Sequence, residues 1–303
     1  MSKIGIRCDC GVRTGMGHLA RQKLIYKELK NLGNEVYFFI KEGVCLVDDI
    51  PILDMSLIQE MDCLIIDILE DFEDFDFPGK RVVFHDSPDL ITIKADIIFA
   101  LNYMQSHHNK YYDNRYFLGL KYNPMEFEFP ETKRVYRGNL KKILIMTSGV
   151  DPWNMPSIIY NTIKDEGYDI SILISKAYKK ERFDTSNIEI VTHVEKLAEF
   201  FSKFDLLICT VGNVAFEAAA SGLPTISFSV SKVQEGHGHF LNESGASQYL
   251  GGFWNNTAQL NSLLTTVDSF NDSKVREEVA LKGKVLCDGR GLKRVIDIVK
   301  RIL

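Results

Sequence analysis

The sequence predicts an α/β protein built from two doubly wound, Rossmann-like domains that face each other across a cleft. Three observations carry this prediction. The chain has 303 residues, and at roughly 150 residues per domain that length suits two domains. Short, unbroken apolar runs alternate with helix-length amphipathic segments from end to end, the pattern of parallel strands covered on both faces by helices. The alternation fails once, from Asn123 to Leu140, where Pro124, Pro130, alternating acids and then Lys133, Arg134 and Arg137 read as a linker. The expected division is 1–138, 139–288 and a closing segment 289–303.

The elements follow in order. Lys3–Cys8 (KIGIRC) reads as a strand, His18–Leu32 as a helix and Glu35–Ile40 (EVYFFI) as the next strand. Asp62–Asp67, Arg81–Asp86 and Ala95–Ala100 are further apolar strands bounded by polar turns. After the linker, Lys142–Met146 is a strand and Pro156–Glu166 a helix. Asp169–Ile174 and Ile188–Val191 are strands, and Val194–Phe201 is a helix. Asp205–Cys209 and Thr225–Phe228 are strands flanking a helix at Val214–Ser221, and the remainder reads as largely helical, ending in Gly289–Leu303. In that last segment Leu292, Val295, Ile296, Val299 and Ile302 form an apolar stripe at helical spacing that requires a partner surface.

Composition narrows the function classes. Hydrophobic residues make up 45% of the chain and charged residues 25%, as in ordinary globular proteins. Lys plus Arg number 36 against 41 Asp plus Glu, a net charge of −5. The stretch up to residue 138 holds 17 basic and 22 acidic residues and the rest 19 of each, so neither half carries the cationic footprint of a nucleic-acid binder. The weakly charged stretch Leu206–Val230 is interrupted by Asn213, Glu217, Gly222 and Pro224 and reads as buried core instead of a membrane span. The chain enters a strand pattern directly after Met-Ser-Lys, with no leader pattern, and its six scattered cysteines suit reduced core thiols. Both features lead us to expect a cytoplasmic protein.

Open α/β sheets bind ligands beyond the carboxyl ends of their strands. The first such loop, Arg7-Cys8-Asp9-Cys10-Gly11-Val12-Arg13-Thr14-Gly15-Met16-Gly17-His18, runs from the first strand straight into the first helix. Gly15 and Gly17 remove side chains where a ligand approaches backbone, and the helix N-terminus supplies N–H groups and positive potential. The helix dipole disfavours imidazolium at His18, keeping a neutral ring available as a general base. The same position suits a histidine that only closes the loop. A second loop leaves the strand DLLICT as Thr210-Val211-Gly212-Asn213-Val214-Ala215-Phe216-Glu217. A diphosphate fits the N–H groups at the start of the helix beginning near Asn213. Glu217, one turn in and embedded in VAFEAAASG, requires a partner, either ribose hydroxyls or a neighbouring loop.

These loops, with TVGNVAFEAAASGLP and the closing Asp288-Gly289-Arg290-Gly291-Leu292-Lys293-Arg294-Val295, resemble the UDP-sugar hydrolases of pseudaminic acid biosynthesis and their wider family of spore-coat polysaccharide proteins. Further matches follow in order. They are Leu64-Ile65-Ile66-Asp67, Val83-Phe84-His85-Asp86 followed by Ala95-Asp96-Ile97-Ile98 and Asn102, Gly119-Leu120-Lys121-Tyr122, and Ser148-Gly149-Val150-Asp151-Pro152. The resemblance spans nearly the whole chain. It implies a GT-B fold, with UDP held mainly by the second domain, the sugar reaching into the first, and the last helix docking back on the first. It further implies His18 as the base that activates water for inverting attack at the anomeric carbon, and Glu217 as the ribose ligand. The substrate-binding set it implies is Arg13, Gly15, Gly17, Asp67, Asp86, Asn102, Tyr122, Ser148, Gly149, Asp151, Thr210, Gly212, Asn213, Glu217 and Gln234. Two departures stand near the expected phosphate and sugar sites: one glycine, Gly149, before Val150 and Asp151, and Val233-Gln234 where the family shows Asn-Gln.

Other motifs are weaker. Asp74-Phe75-Asp76 has the acidic spacing of metal-dependent glycosyltransferases but sits in EDFEDFDFPG, which reads as a solvated loop. His237-Gly238-His239 lacks a third ligand nearby, and Cys8-Asp9-Cys10 lacks a second cysteine pair. We therefore expect no metal and no cofactor. The expected activity is hydrolysis of a UDP-activated amino-deoxy sugar. An inverting glycosyltransferase with a sugar acceptor is the alternative, and a non-catalytic nucleotide-sugar binder is a third.

Overall fold

Lys3–Cys8 forms the first strand, β1, and every residue from Ile4 to Cys8 is buried. Such a strand needs cover on both faces, and it receives it as an inner member of a parallel sheet. β1 pairs with β2 (Glu35–Phe39) on one side and β3 (Cys63–Asp67) on the other. The sheet continues through β4 (Lys80–His85), β5 (Ile97–Ala100) and β6 (Tyr116–Leu118) in the order β2-β1-β3-β4-β5-β6. The structure, a computed structural model, describes residues 1–10, 17–41, 50–68, 77–85, 94–101, 113–126, 134–147, 153–174, 189–252 and 262–303.

The period of two sorts side chains onto two faces. Cys63 and Ile65 join Ile4, Ile6, Cys8, Phe84 and Phe99 on one face. Leu64 and Ile66 join Phe39, Val83 and Ile98 on the other. The first face is covered by α1 (Gly17–Asn31), through Leu19, Ile25 and Leu29, and by α8 (Gly291–Val299), through Leu292, Val295, Ile296 and Val299. The chain accordingly divides into one unit of Met1–Phe127 with Gly289–Leu303 and a second of Glu128–Asp288.

Gly291 is the residue that lets α8 seat. A Cβ there would overlap the backbone of Asn123, which follows the 3-10 turn Leu120–Tyr122, and Arg294 Nη1 donates to Lys121 O at 2.9 Å beside it. Gly291→Ala is expected to destabilise the protein by about 1–3 kcal/mol, the usual penalty for forcing atoms into a packed contact. Urea unfolding measures this, and an unchanged midpoint would mean the two backbones separate without cost.

The second unit repeats the architecture with a different strand order. β7 (Lys142–Met146), β8 (Asp169–Leu173), β9 (Glu189–Val191), β10 (Leu206–Thr210), β11 (Thr225–Ser229) and β12 (Gln248–Gly252) form a sheet ordered β12-β11-β10-β7-β8-β9. Its helices are α2 (Met155–Ile163), α3 (Leu197–Phe201), α4 (Asn213–Ser221), α5 (Lys232–Glu243), α6 (Leu263–Ser269) and α7 (Ser273–Leu286). The core collects Ile143, Ile145, Ile172, Ile208, Ile226 and Phe228 with Ile159 and Ile163 of α2.

Three expectations need correction. Gln248–Gly252 is an edge strand and not helix, and Tyr116–Leu118 adds a strand that the sequence reading lacks. The unit boundary falls at 127/128 instead of 138, because side chains of the expected linker fasten to the second unit. The Arg134 guanidinium donates to Phe201 O, Phe204 O and Ser221 O, the Tyr136 hydroxyl donates to Gly222 O at 2.6 Å, and Arg276 Nη2 donates to Gly138 O at 2.6 Å. The Arg134 and Tyr136 donors occupy carbonyls at the C-terminal ends of α3 and α4, where helices leave acceptors unsatisfied. Finally, Cys8, Cys63, Cys209 and Cys287 are buried free thiols, but Cys10 is disulfide-bonded. It lies two residues past the end of β1, in loop backbone instead of a strand interior, and its partner is outside the described residues. Among the described residues no helix is long and apolar enough to cross a membrane.

Candidate functional site

In a doubly wound sheet the ligand crevice opens where the strand order reverses. In the first unit that point lies between β1 and β3, which are neighbours although β2 intervenes in sequence. β1 leads toward α1 and its His18; β3 ends in Asp67. Asp67 shares the sheet face of Cys63 and Ile65, the face covered by α1. On α1, positions 18, 21 and 22 are one turn apart and point together toward that strand end.

A four-membered cluster results. Asp67 has no exposed side-chain surface. His18 Nδ1 faces Asp67 Oδ1 at 2.6 Å. Arg21 grips the same carboxylate with two prongs, Nε to Oδ2 at 2.6 Å and Nη2 to Oδ1 at 2.5 Å. Gln22 Nε2 donates to Oδ2 at 2.7 Å. Burial alone would push the Asp67 carboxyl up, but the Arg21 charge and the hydrogen bonds from Arg21 and His18 hold it well below the usual carboxylate range. Asp67 is therefore an anion and a pure acceptor, so the proton in the His18 contact belongs to Nδ1; in the neutral form of the ring the lone pair is then on Nε2. Burial and the Asp67 charge push the neighbouring Cys8 thiol far up, which keeps it neutral. Arg7 pairs with Asp9 at 2.5 Å just beyond the strand, and Asp9 also accepts from Lys41 N at 3.1 Å, tying the ends of β1 and β2 together.

In the second unit the reversal lies between β7 and β10. β10 ends in Thr210, buried, and the chain turns through Gly212 into α4 at Asn213. Gly212 has φ +148°, a conformation other residues rarely adopt. Among the described residues a Cβ at Gly212 would meet no atom within 4 Å, so the requirement here is conformational. Glu217 follows one turn later, half-buried, close enough that its charge adds to burial in raising the Cys209 thiol. Gln234 is half-buried, and its carboxamide oxygen accepts from Val230 N at 2.9 Å, closing the turn from β11 into α5.

Of the expected site residues, the structure thus brings His18 to Asp67 in one unit and sets Thr210, Gly212, Asn213 and Glu217 along one turn in the other. Gly17 is the first residue of α1. Tyr122 is half-buried and packs in an aromatic cluster, 5.9 Å from the Phe99 ring and 5.6 Å from that of Phe117. Arg13, Gly15, Asp86, Asn102, Ser148, Gly149 and Asp151 lie outside the described residues, as do Asp74 and Asp76. Among the described residues no three metal-ligating side chains gather; the His239 ring packs edge-on against Tyr249 at 5.1 Å. Sequence reasoning missed Arg21 and Gln22. Their signal is that two polar residues occupy the buried stripe of α1 one turn after the histidine.

No protein-family model matches the chain. A curated relative, an uncharacterized protein of Methanocaldococcus jannaschii, is 28% identical over 273 residues, covering 77% of this chain and 56% of the relative. The chain thus spans about half the length of that protein. Among solved structures, MurG of Acinetobacter baumannii superposes with a TM-score of 0.68 at 14% identity, covering 99% of both chains. MnaA of S. aureus, solved with UDP, gives 0.65 at 13% identity over 99% of this chain and 96% of that one. HepE of Anabaena, solved with UDP-glucose, gives 0.63 at 12% identity over all of both chains. At such identities the likeness establishes the fold and leaves the reaction open. The fold is GT-B glycosyltransferase-like.

Proposed function

We propose that this protein is a nucleotide-sugar hydrolase that cleaves UDP from an amino-deoxy sugar, serving nonulosonic (pseudaminic-type) acid or surface-glycan biosynthesis. The observation that carries the reading is the His18–Asp67 pair at the strand reversal of the first sheet. A neutral imidazole anchored through Nδ1 has Nε2 as its basic atom, the arrangement of a general base. In the proposed step a water oxygen attacks the anomeric carbon while His18 Nε2 takes a water proton. The bond from that carbon to the diphosphate oxygen breaks, and UDP leaves with the electron pair. A single displacement inverts the configuration. The N–H groups starting α4 stabilise the departing diphosphate, and Glu217 binds the ribose hydroxyls. MnaA with UDP and HepE with UDP-glucose show that related folds hold this nucleotide.

The test is incubation with a panel of UDP-, CMP- and GDP-sugars without acceptor, read by NMR. Release of UDP with a free sugar of inverted configuration is expected. Cleavage only after a sugar acceptor is added would make the protein an inverting transferase. Glu217→Gln tests the ribose contact: losing a charge-assisted pair is expected to weaken UDP binding by about 1.5–3 kcal/mol. Calorimetric titration reads this, and equal affinities would remove Glu217 from the site.

A further inference from the structure

The reading above uses His18 and Asp67 and leaves Arg21 and Gln22 without a task. An imidazole 2.6 Å from a buried carboxylate is ordinarily drawn toward its cationic form, which would disable it as a base. Here the carboxylate's charge is already claimed by the two-pronged grip of Arg21, itself only 5% exposed. The guanidinium is held in register by the Phe84 ring, 5.5 Å away, and its Nη2 stands 3.5 Å from His18 Nδ1. A cation at that distance opposes a second positive charge on the ring. Gln22, fully buried, adds the last donor to Asp67, and its carboxamide oxygen is the buried side-chain atom left without a hydrogen-bond partner among the described residues. The amide is therefore committed to the carboxylate at the expense of its own pairing, the kind of cost that functional sites retain.

We propose that Arg21 is a positioning residue that acts through Asp67 to keep His18 neutral, with its proton on Nδ1 and its lone pair on Nε2. Among the described residues, the groups facing the cluster are Asp67 from β3, the neutral Cys8 thiol from β1, and Arg21 with the N-terminal end of α1 itself; Arg7 and Asp9 pair with each other. Asp67 alone orients the ring but also attracts a proton to it. Arg21 separates the two effects, preserving the orientation and cancelling the attraction. Lysine would supply the charge without the fork or the stacking plane. The inference deepens, and rests on, the reading of His18 as a base, yet its test needs no substrate.

The experiment is nitrogen NMR of the histidine rings in the full-length, unliganded ¹⁵N-labelled chain, with His18 assigned by its loss in His18→Asn. The wild-type ring is expected to be neutral at pH 7 with the proton on Nδ1. Arg21→Met is expected to raise its titration midpoint by about one unit or more, at least tenfold in proton affinity. Arg21→Gln, which removes the charge and keeps a donor for Asp67, is expected to raise it likewise, and this variant decides the matter if Arg21→Met does not fold. A wild-type ring protonated on Nε2, or an unchanged midpoint in a folded variant, overturns the proposal. Failure to cleave UDP-sugars would overturn the hydrolase reading alone and leave these midpoints untouched.

Discussion

Replacing His18 with Asn is expected to abolish UDP release while leaving UDP affinity nearly unchanged. A general base acts on the proton being transferred, so its loss appears in the chemical step, by about 10²–10⁴-fold. The nucleotide is assigned to residues of the second unit, which the substitution does not touch. Asparagine keeps a polar group of similar size at the start of α1, so Asp67 retains a donor facing Oδ1. Turnover by NMR and affinity by calorimetry are the paired measurements. Joint loss of both would mean that His18 merely closes the loop. Near-wild-type turnover would remove it as the base and direct attention to Asp9, Asp67 and Asp86.

The largest effect on stability is expected from Asp67→Leu. That change removes the carboxylate that the Arg21 guanidinium, itself 5% exposed, grips with two prongs. Removing one member of a buried pair typically costs about 3–5 kcal/mol, because the remaining charge cannot be hydrated. The double variant Asp67→Leu with Arg21→Met removes the buried cation together with the carboxylate and is expected to recover much of the loss; denaturant unfolding of the three chains measures it. The wild type carries a matching pH signature. The Asp67 carboxyl is held lower in the folded protein than in the unfolded chain, so its contribution is complete above about pH 5 and fades as the pH falls toward the folded value. In Asp67→Leu that segment of the acid dependence is expected to flatten. An unchanged acid profile would mean that other carboxylates dominate it.

Much of this architecture is legible in the sequence because parallel strands announce themselves. Lys3–Cys8 and Lys142–Met146 are bounded in the structure as the apolar runs predict, since inner strands buried on both faces admit few polar residues. The strands that escape are the edges. Gln248–Gly252 is half-buried along its whole length and carries two glycines, so it shows neither an apolar run nor alternation. Tyr116–Leu118 is three residues of half-buried edge. The apolar stripe of 289–303 states that a partner surface exists; the structure shows that surface to be the core around Ile4, Phe38 and Phe99.

The candidate site divides along a similar line. Glycines and a histidine between strand and helix mark a loop where chemistry can occur, and the TVGN turn marks another. What holds the histidine is not local. Asp67 is 49 residues away from His18 in sequence, and only the neighbouring of β1 and β3 brings the two together. Arg21 and Gln22 read on paper as ordinary polar residues of a surface helix. Their burial against a carboxylate depends on the sheet face that Asp67 occupies, which follows from the register of β3 and not from any motif.

The central claim is water attack at the anomeric carbon, and the direct measurement is hydrolysis of a UDP-sugar in ¹⁸O-labelled water without acceptor, read by mass spectrometry of both products under single turnover. The account predicts one ¹⁸O atom in the released sugar and none in UDP, because the bond from carbon to oxygen breaks. Label in the β-phosphate of UDP would place the attack at phosphorus and contradict the role given to His18, and absence of any release until a sugar acceptor is added would contradict the hydrolase itself.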